Sequence, residues 1–162
     1  MSSAEKQAQL GYEEKLKDFT RRNGLAAEHL SFEVSCHSVA EAAQAAGVEP
    51  TDFVKNICLV GPEGQLIVAI VKGEDRASAS RSAKALGLAG ARIATEEEIL
   101  EKTGFICGGT PSFGFEAIFL VDPRVMDCPE VYTGGGSEYA LVKITPAELV
   151  RANAALVTRI RR

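Results

Sequence analysis

Two apolar runs, Phe53-Val-Lys-Asn-Ile-Cys-Leu-Val60 and Gln65-Leu-Ile-Val-Ala-Ile-Val71, are separated only by Gly61-Pro-Glu-Gly64. Runs of this length, rich in Val and Ile and bounded by Gly and Pro, read as strands rather than helix segments. A short Pro/Gly connection makes them a hairpin. Neither run alternates with polar residues, so both faces of the hairpin need a covering layer. One residue resists that reading. Lys55 sits near the start of the first run, and an ammonium withdrawn from water costs several kcal/mol unless something compensates it. Either its long stem snorkels and the charge reaches solvent at the strand end, or it is held on a rigid element to meet an anionic ligand. The strand alone leaves both open.

The rest of the chain supplies the layers. Residues 4–23 carry an apolar stripe (Leu10, Tyr12, Leu16, Phe19) and end at Asn23-Gly24, predicting a helix, with Gly11 weak enough to allow two shorter pieces. Leu30–Val34 alternates and predicts a short strand. Ser38 and Glu41 have capping-box spacing ahead of an alanine-rich helix that stops at Gly47. After the hairpin come a helix over 76–86, a brief strand over 91–94, and Thr95-Glu-Glu-Glu98, a second capping box opening a helix to about Lys102. Phe115–Val121 predicts a buried strand, Asp122-Pro123 a turn, and 130–132 with 139–144 two further strands. Thr145, Pro146 and Glu148 then start a last helix to about Asn153, followed by a short tail. These elements predict one α+β domain over residues 1–162. Its sheet is expected to be mixed and largely antiparallel, or a partly closed barrel, with surrounding helices.

Composition narrows the function classes. No apolar run approaches the roughly 18 residues of a membrane span, and Met1–Gln7 is polar, so a cytoplasmic protein without membrane contact is expected. Cys36, Cys58, Cys107 and Cys128 lie far apart and the only histidines are His29 and His37, which gives no metal-ligand spacing. The cysteines read as reduced apolar fillers. A net charge of −4 argues against a general nucleic-acid binder, so any RNA contact has to be local. The densest basic cluster, Arg159-Ile-Arg161-Arg162, reads as a solvated tail. No Ser-His-Asp set or G-x-S-x-G is present, and Cys36 beside His37 is only an adjacency.

Two glycine-rich segments remain. Gly134-Gly-Gly136 suits a hairpin turn. Gly108-Gly-Thr-Pro-Ser-Phe-Gly114 is long for a plain turn and mixes glycine, proline and an aromatic, as pocket-lining loops on a rigid sheet do. Neither matches a phosphate-binding template.

In their order these parts resemble the YbaK/EbsC family, also found as the editing insertion of bacterial prolyl-tRNA synthetase. The resemblance is carried by Val54-Lys55 after the alanine-rich helix, Ala94–Glu98 before Thr103-Gly104, the Gly108–Gly114 loop, Val121-Asp122, Val131–Gly136 and Ile144–Leu149, and covers about residues 32–150. Residues 1–30 then stand as a helical extension. The resemblance implies a trans-editing hydrolase that cleaves the ester of a mischarged aminoacyl-tRNA, with a small amino acid and often tRNA for proline, and without metal or organic cofactor. It implies catalytic roles for Lys55, Gly108 and Gly109, and substrate contacts from Thr110, Pro111, Ser112, Phe113, Gly134, Gly135 and Gly136. The expected partners are the aminoacyl-tRNA acceptor end and an aminoacyl-tRNA synthetase. The alternative is a non-catalytic module binding aminoacyl-tRNA or a synthetase through the same pocket. Two departures stand out: Ser112 where relatives commonly have proline, and Leu141 near a position where some freestanding members carry aspartate.

Overall fold

The computed structural model describes residues 2–162. In chain order the elements are α1 (Ser3–Arg22), β1 (Ala27–Ser31), α2 (Val39–Ala46), β2 (Val54–Val60), β3 (Leu66–Lys72), α3 (Ala79–Ala85) and β4 (Arg92–Ile93). They continue with α4 (Glu96–Thr103), β5 (Ile118–Val121), α5 (Pro123–Met126), β6 (Val131–Gly134), β7 (Ala140–Ile144), α6 (Pro146–Asn153) and β8 (Leu156–Val157). The expected α+β class holds. The strands form two open sheets, one ordered β1-β7-β6 and the other β4-β2-β3-β5-β8. The first is antiparallel throughout. In the second, β2 runs antiparallel to β3 and β4, whereas β5 is parallel to both β3 and β8. An isolated bridge, Phe53 to Tyr132, joins the sheets, and these two rings stack with centroids 5.2 Å apart.

The hairpin sits where its composition demands. Every residue of β3 from Leu66 to Val71 is buried. Val54, Cys58 and Val60 face the main core with Leu16, Phe105 and Phe113. Ile57 and Leu59 face the other way, into a second cluster closed by Leu86, Leu88 and Ile160. Period-2 alternation in β2 therefore serves two cores at once.

The capping signals hold to different degrees. Thr95 and Glu98 form the complete reciprocal box. Ser38 accepts from the Glu41 N–H, but Glu41 returns its carboxylate to the Ser38 hydroxyl instead of the backbone. The last helix starts on the Thr145 side chain, and its Glu148 reaches away to the Ala26 N–H.

One alternative closes and four expectations are corrected. α1 is unbroken, because Gly11 is exposed and costs only about 1 kcal/mol, which packing by Leu16, Tyr12 and Phe19 offsets. Leu10, assigned to its buried stripe, is 49% exposed, and Glu13 takes the inward position at 4%. The strand expected at 30–34 lies at Ala27–Ser31, where β7 supplies its ladder. The turn after Asp122 is a helical turn, α5, capped by the Asp122 side chain on the Arg124 N–H. The tail, finally, is solvated only in part: Ile160 is fully buried, while Arg159 and Arg162 stay exposed. No helix among the described residues is long and apolar enough to cross a membrane.

Candidate active site

β4 pairs with β2 only at Leu59 and Val60, so the Val54–Ile57 half of β2 has an edge without a neighbouring strand there. Along that edge, at the seam between the sheets, lies a cavity of about 190 Å³. This is smaller than the roughly 300–1,000 Å³ of sites for drug-sized ligands. Its walls come from Lys55 and Asn56 on β2, Gly108 and Thr110 on the long loop, and Thr133 and Gly134 at the end of β6. Cys36 and His37, before α2, and Leu141 on β7 complete it.

Lys55 and Asn56 leave opposite faces of β2 but share the cavity, because it follows the strand edge rather than either face. The Lys55 ammonium is half-buried and donates to the Asp75 main-chain oxygen at 2.9 Å. An ammonium has three N–H donors, so one such bond fixes its direction and leaves two for a ligand. Lys55 thus lines the same cavity as Gly108 and Thr110.

Asn56 went unremarked in the sequence, yet it organises the opposite wall. Its Nδ2 donates to the Thr110 main-chain oxygen at 3.0 Å and to Thr133 Oγ1 at 2.8 Å. Its Oδ1 accepts from Ser112 Oγ at 2.7 Å, and Ser112 Oγ lies 2.7 Å from Thr133 Oγ1. Ser112 and Thr133 are buried and Asn56 is half-buried, and the three side chains satisfy one another. The signal was a polar residue next to Lys55 within an apolar strand. A hydroxyl at 112 can close this network and a proline cannot.

The glycines act mainly through packing. A Cβ on Gly134 would lie 2.2 Å from the Thr110 oxygen, and one on Gly109 would lie 2.8 Å from the Ser137 carbonyl carbon. The two glycine segments thus press backbone to backbone, with Gly136 N–H donating to Gly109 O at 2.8 Å. Among the residues singled out in the sequence, Lys55, Gly108, Thr110 and Gly134 line the cavity. Gly109, Pro111, Gly135 and Gly136 are buried outside its lining. Ser112 belongs to the Asn56 network, and Phe113 lies in the main core, its ring 6.0 Å from Phe19.

The adjacent pair Cys36 and His37 does reach the cavity, but the two are not coupled as nucleophile and base. Burial, aided by Glu41, pushes the Cys36 thiol up to about 11, and its Sγ points at the Val34 oxygen. His37 instead lies over Gly108 with Nδ1 3.3 Å from Glu138 Oε1. Burial likewise raises the thiol of Cys107, which also lines the cavity. Neither thiol is poised as a thiolate near neutral pH. Among the described residues, no group of three or more His, Cys, Asp or Glu is placed to hold a metal ion.

Residues 33–152 match the aminoacyl-tRNA editing domain. The chain belongs to that family. Membership places it in the editing of aminoacyl-tRNA. The chain is also 28% identical over 120 residues to the uncharacterized protein YwhH of Bacillus subtilis (strain 168), covering 73% of this chain and 76% of that one. Among solved structures it resembles a proposed trans-editing enzyme for prolyl tRNA synthetase, with TM-score 0.85 and 29% identity over 93% of this chain and 97% of the other. It similarly resembles the hypothetical protein APE2540, with TM-score 0.83 and 29% identity over 91% and 99% of the two chains. The cavity lies wholly inside the span that matches the editing domain. α1, β1 and the tail after α6 lie outside it.

Proposed function

We propose that this editing protein is a trans-acting deacylase that hydrolyses the ester between a wrongly attached small amino acid and the terminal adenosine of a tRNA. The observation that carries the proposal is a buttressed ammonium, Lys55, sharing one small cavity with the Gly108–Thr110 backbone. Ester cleavage builds negative charge on the carbonyl oxygen, and a fixed N–H donor or cation aimed there is typically worth about 10² to 10³ in rate. The N–H groups of Gly109, Gly135 and Gly136 already serve the Ile106, Ala140 and Gly109 carbonyls. Stabilisation therefore falls to Lys55 and to the amides of Gly108 and Thr110. Asn56 holds the Thr110 carbonyl, in the peptide that leads into Pro111, and so fixes the loop just beyond the Thr110 amide. Burial raises the thiols of Cys36 and Cys107, the two cysteines that line the cavity, and this favours attack by water, or by a group of the substrate itself, over a protein thiolate.

The cavity volume suits a small aminoacyl group better than a large one. Such a site complements a synthetase, because one methylene gives only about 1–3 kcal/mol of discrimination by binding. The likeness to a proposed trans-editing enzyme for prolyl tRNA synthetase makes tRNA for proline the first substrate to try, with a synthetase as partner and the cytoplasm as the setting. Leu141 supplies an apolar wall, favouring alanine over groups that need a charged partner. The test is a panel of tRNAs for proline charged with alanine, serine, threonine, cysteine or proline. Faster release of a small wrong amino acid than of proline is expected. Absence of turnover on every ester overturns the deacylase reading and leaves a binding module.

A further inference from the structure

The Lys55 ammonium is aimed by a main-chain carbonyl, so whatever holds that carbonyl holds the cation. Asp75 lies in the segment between β3 and α3, closed by its own N–H donating to Lys72 O at 2.9 Å. Two supports grip this segment from outside. Arg124 Nη1 donates to Asp75 Oδ1 at 2.7 Å. The C-terminal tail runs along the other side, with Arg162 N–H donating to Arg76 O at 2.8 Å, Ser78 N–H to Ile160 O at 2.7 Å, and Ala77 bridged to Arg161. Both supports converge on one fully buried carboxylate, Asp122. Its Oδ2 accepts from the N–H groups of Ile160 and Arg161 at 3.0 and 3.1 Å, and its Oδ1 from Arg161 Nη1 at 2.8 Å and the Arg124 N–H at 3.0 Å.

We infer that the tail 158–162 and Arg124, both organised by Asp122, form a positioning device for Lys55. A lysine stem has four carbons and many rotamers, and its direction is set by the acceptor it finds. Misplacing a reacting group by about 1 Å can cost about 10²-fold in rate, even when the cause lies far from the chemistry. None of these residues touches the cavity, and the tail lies outside the span that matches the editing domain. Ile160 packs with Leu59 and Val71 on the face of β2 from which Lys55 emerges, which gives the tail its footing.

The activity arm of the test rests on the proposed deacylase function; the spectroscopic arm does not. Two variants are made, a chain ending at Arg159 and Arg124→Met, each alone and combined with Lys55→Ala. Nitrogen-15 spectra of lysine ammonium groups read the Lys55 signal, assigned by its loss in Lys55→Arg, while circular dichroism monitors folding. A slowly exchanging Lys55 ammonium is expected in the parent protein, and its broadening or loss in either folded variant. On a mischarged tRNA, kcat should fall about 10-fold with KM little changed, and neither change should lower activity further once Lys55 is alanine. An unaltered Lys55 signal in folded variants overturns the inference, as does an equal fall in the Lys55→Ala background. If the shortened chain does not fold, Arg124→Met decides. If the parent protein hydrolyses no ester, the deacylase reading fails and the ammonium signal alone decides the positioning claim.

Discussion

The two ends of the chain are each fastened beside the cavity by a buried carboxylate, and the two fastenings differ in kind. At the N-terminal end, Glu13 of α1 accepts from two hydroxyls, Ser31 Oγ at 2.6 Å and Ser137 Oγ at 2.8 Å. At the C-terminal end, Asp122 accepts from three backbone N–H groups and a guanidinium. Glu13 ties α1 to the end of the glycine run, with Gln9 Oε1 adding a bond from the Glu138 N–H. Asp122 ties the tail to the segment that holds Lys55. Hydroxyls rotate and can donate or accept, so they adapt to a changed partner. Main-chain N–H groups and a guanidinium only donate, so they leave an unmet demand when their acceptor goes. The first fastening is therefore forgiving and the second is not.

Replacing each acid tests that contrast. Asp122→Ala should lower the unfolding free energy by about 3–5 kcal/mol, because a half-buried cation and several N–H donors lose their buried acceptor. Glu13→Ala should cost less, about 2 kcal/mol, since two small hydroxyls are left to re-pair. Urea unfolding of both variants checks the order, and a larger loss at Glu13 breaks the comparison.

Acid tests the Asp122 fastening from another side. Burial alone would raise the Asp122 carboxyl, but the N–H groups of Arg124, Ile160 and Arg161 and the Arg161 side chain outweigh it and hold the group below the usual carboxylate range. A carboxylate lowered in the folded state stabilises fully above its unfolded value, about 3.9, and loses that contribution as pH falls through the folded value. The stability gap between the parent protein and Asp122→Asn should stay constant from about pH 7 to 5 and narrow below about 4. The smallest effect is expected from Glu13→Gln, under about 1 kcal/mol, because the hydroxyls can turn to meet an amide. A Glu13→Gln loss as large as that of Glu13→Ala would show that charge, and not acceptor number, makes that fastening.

Much of this architecture was legible because it is written locally. The hairpin follows from two apolar runs, the start of α4 from Thr95 and Glu98, and the cavity lysine from the polar interruption in the first run. The missing parts depend on tertiary partners. Nothing local says that Ile160 reaches the far core, because a tail of alternating arginines reads as solvated until Asp122 is known to face it. Leu10 and Glu13 exchanged roles because two serines distant in sequence meet the carboxylate. β1 shifted toward the N-terminus because β7, not its own alternation, sets the ladder. At the site, the Gly108–Gly114 loop was legible as a pocket wall, but not that its glycines press against those of the later run. Asn56 was passed over because its three partners lie at 110, 112 and 133, which only folding brings together.

The central claim is that the Lys55 ammonium, held by the Asp75 carbonyl, stabilises charge during ester cleavage. Single-turnover deacylation of an alanine-charged tRNA for proline by the parent protein and Lys55→Ala, matched for folding by circular dichroism, tests it most directly. The account predicts a rate about 10² to 10³ lower in the variant. Equal rates from the two proteins would contradict it.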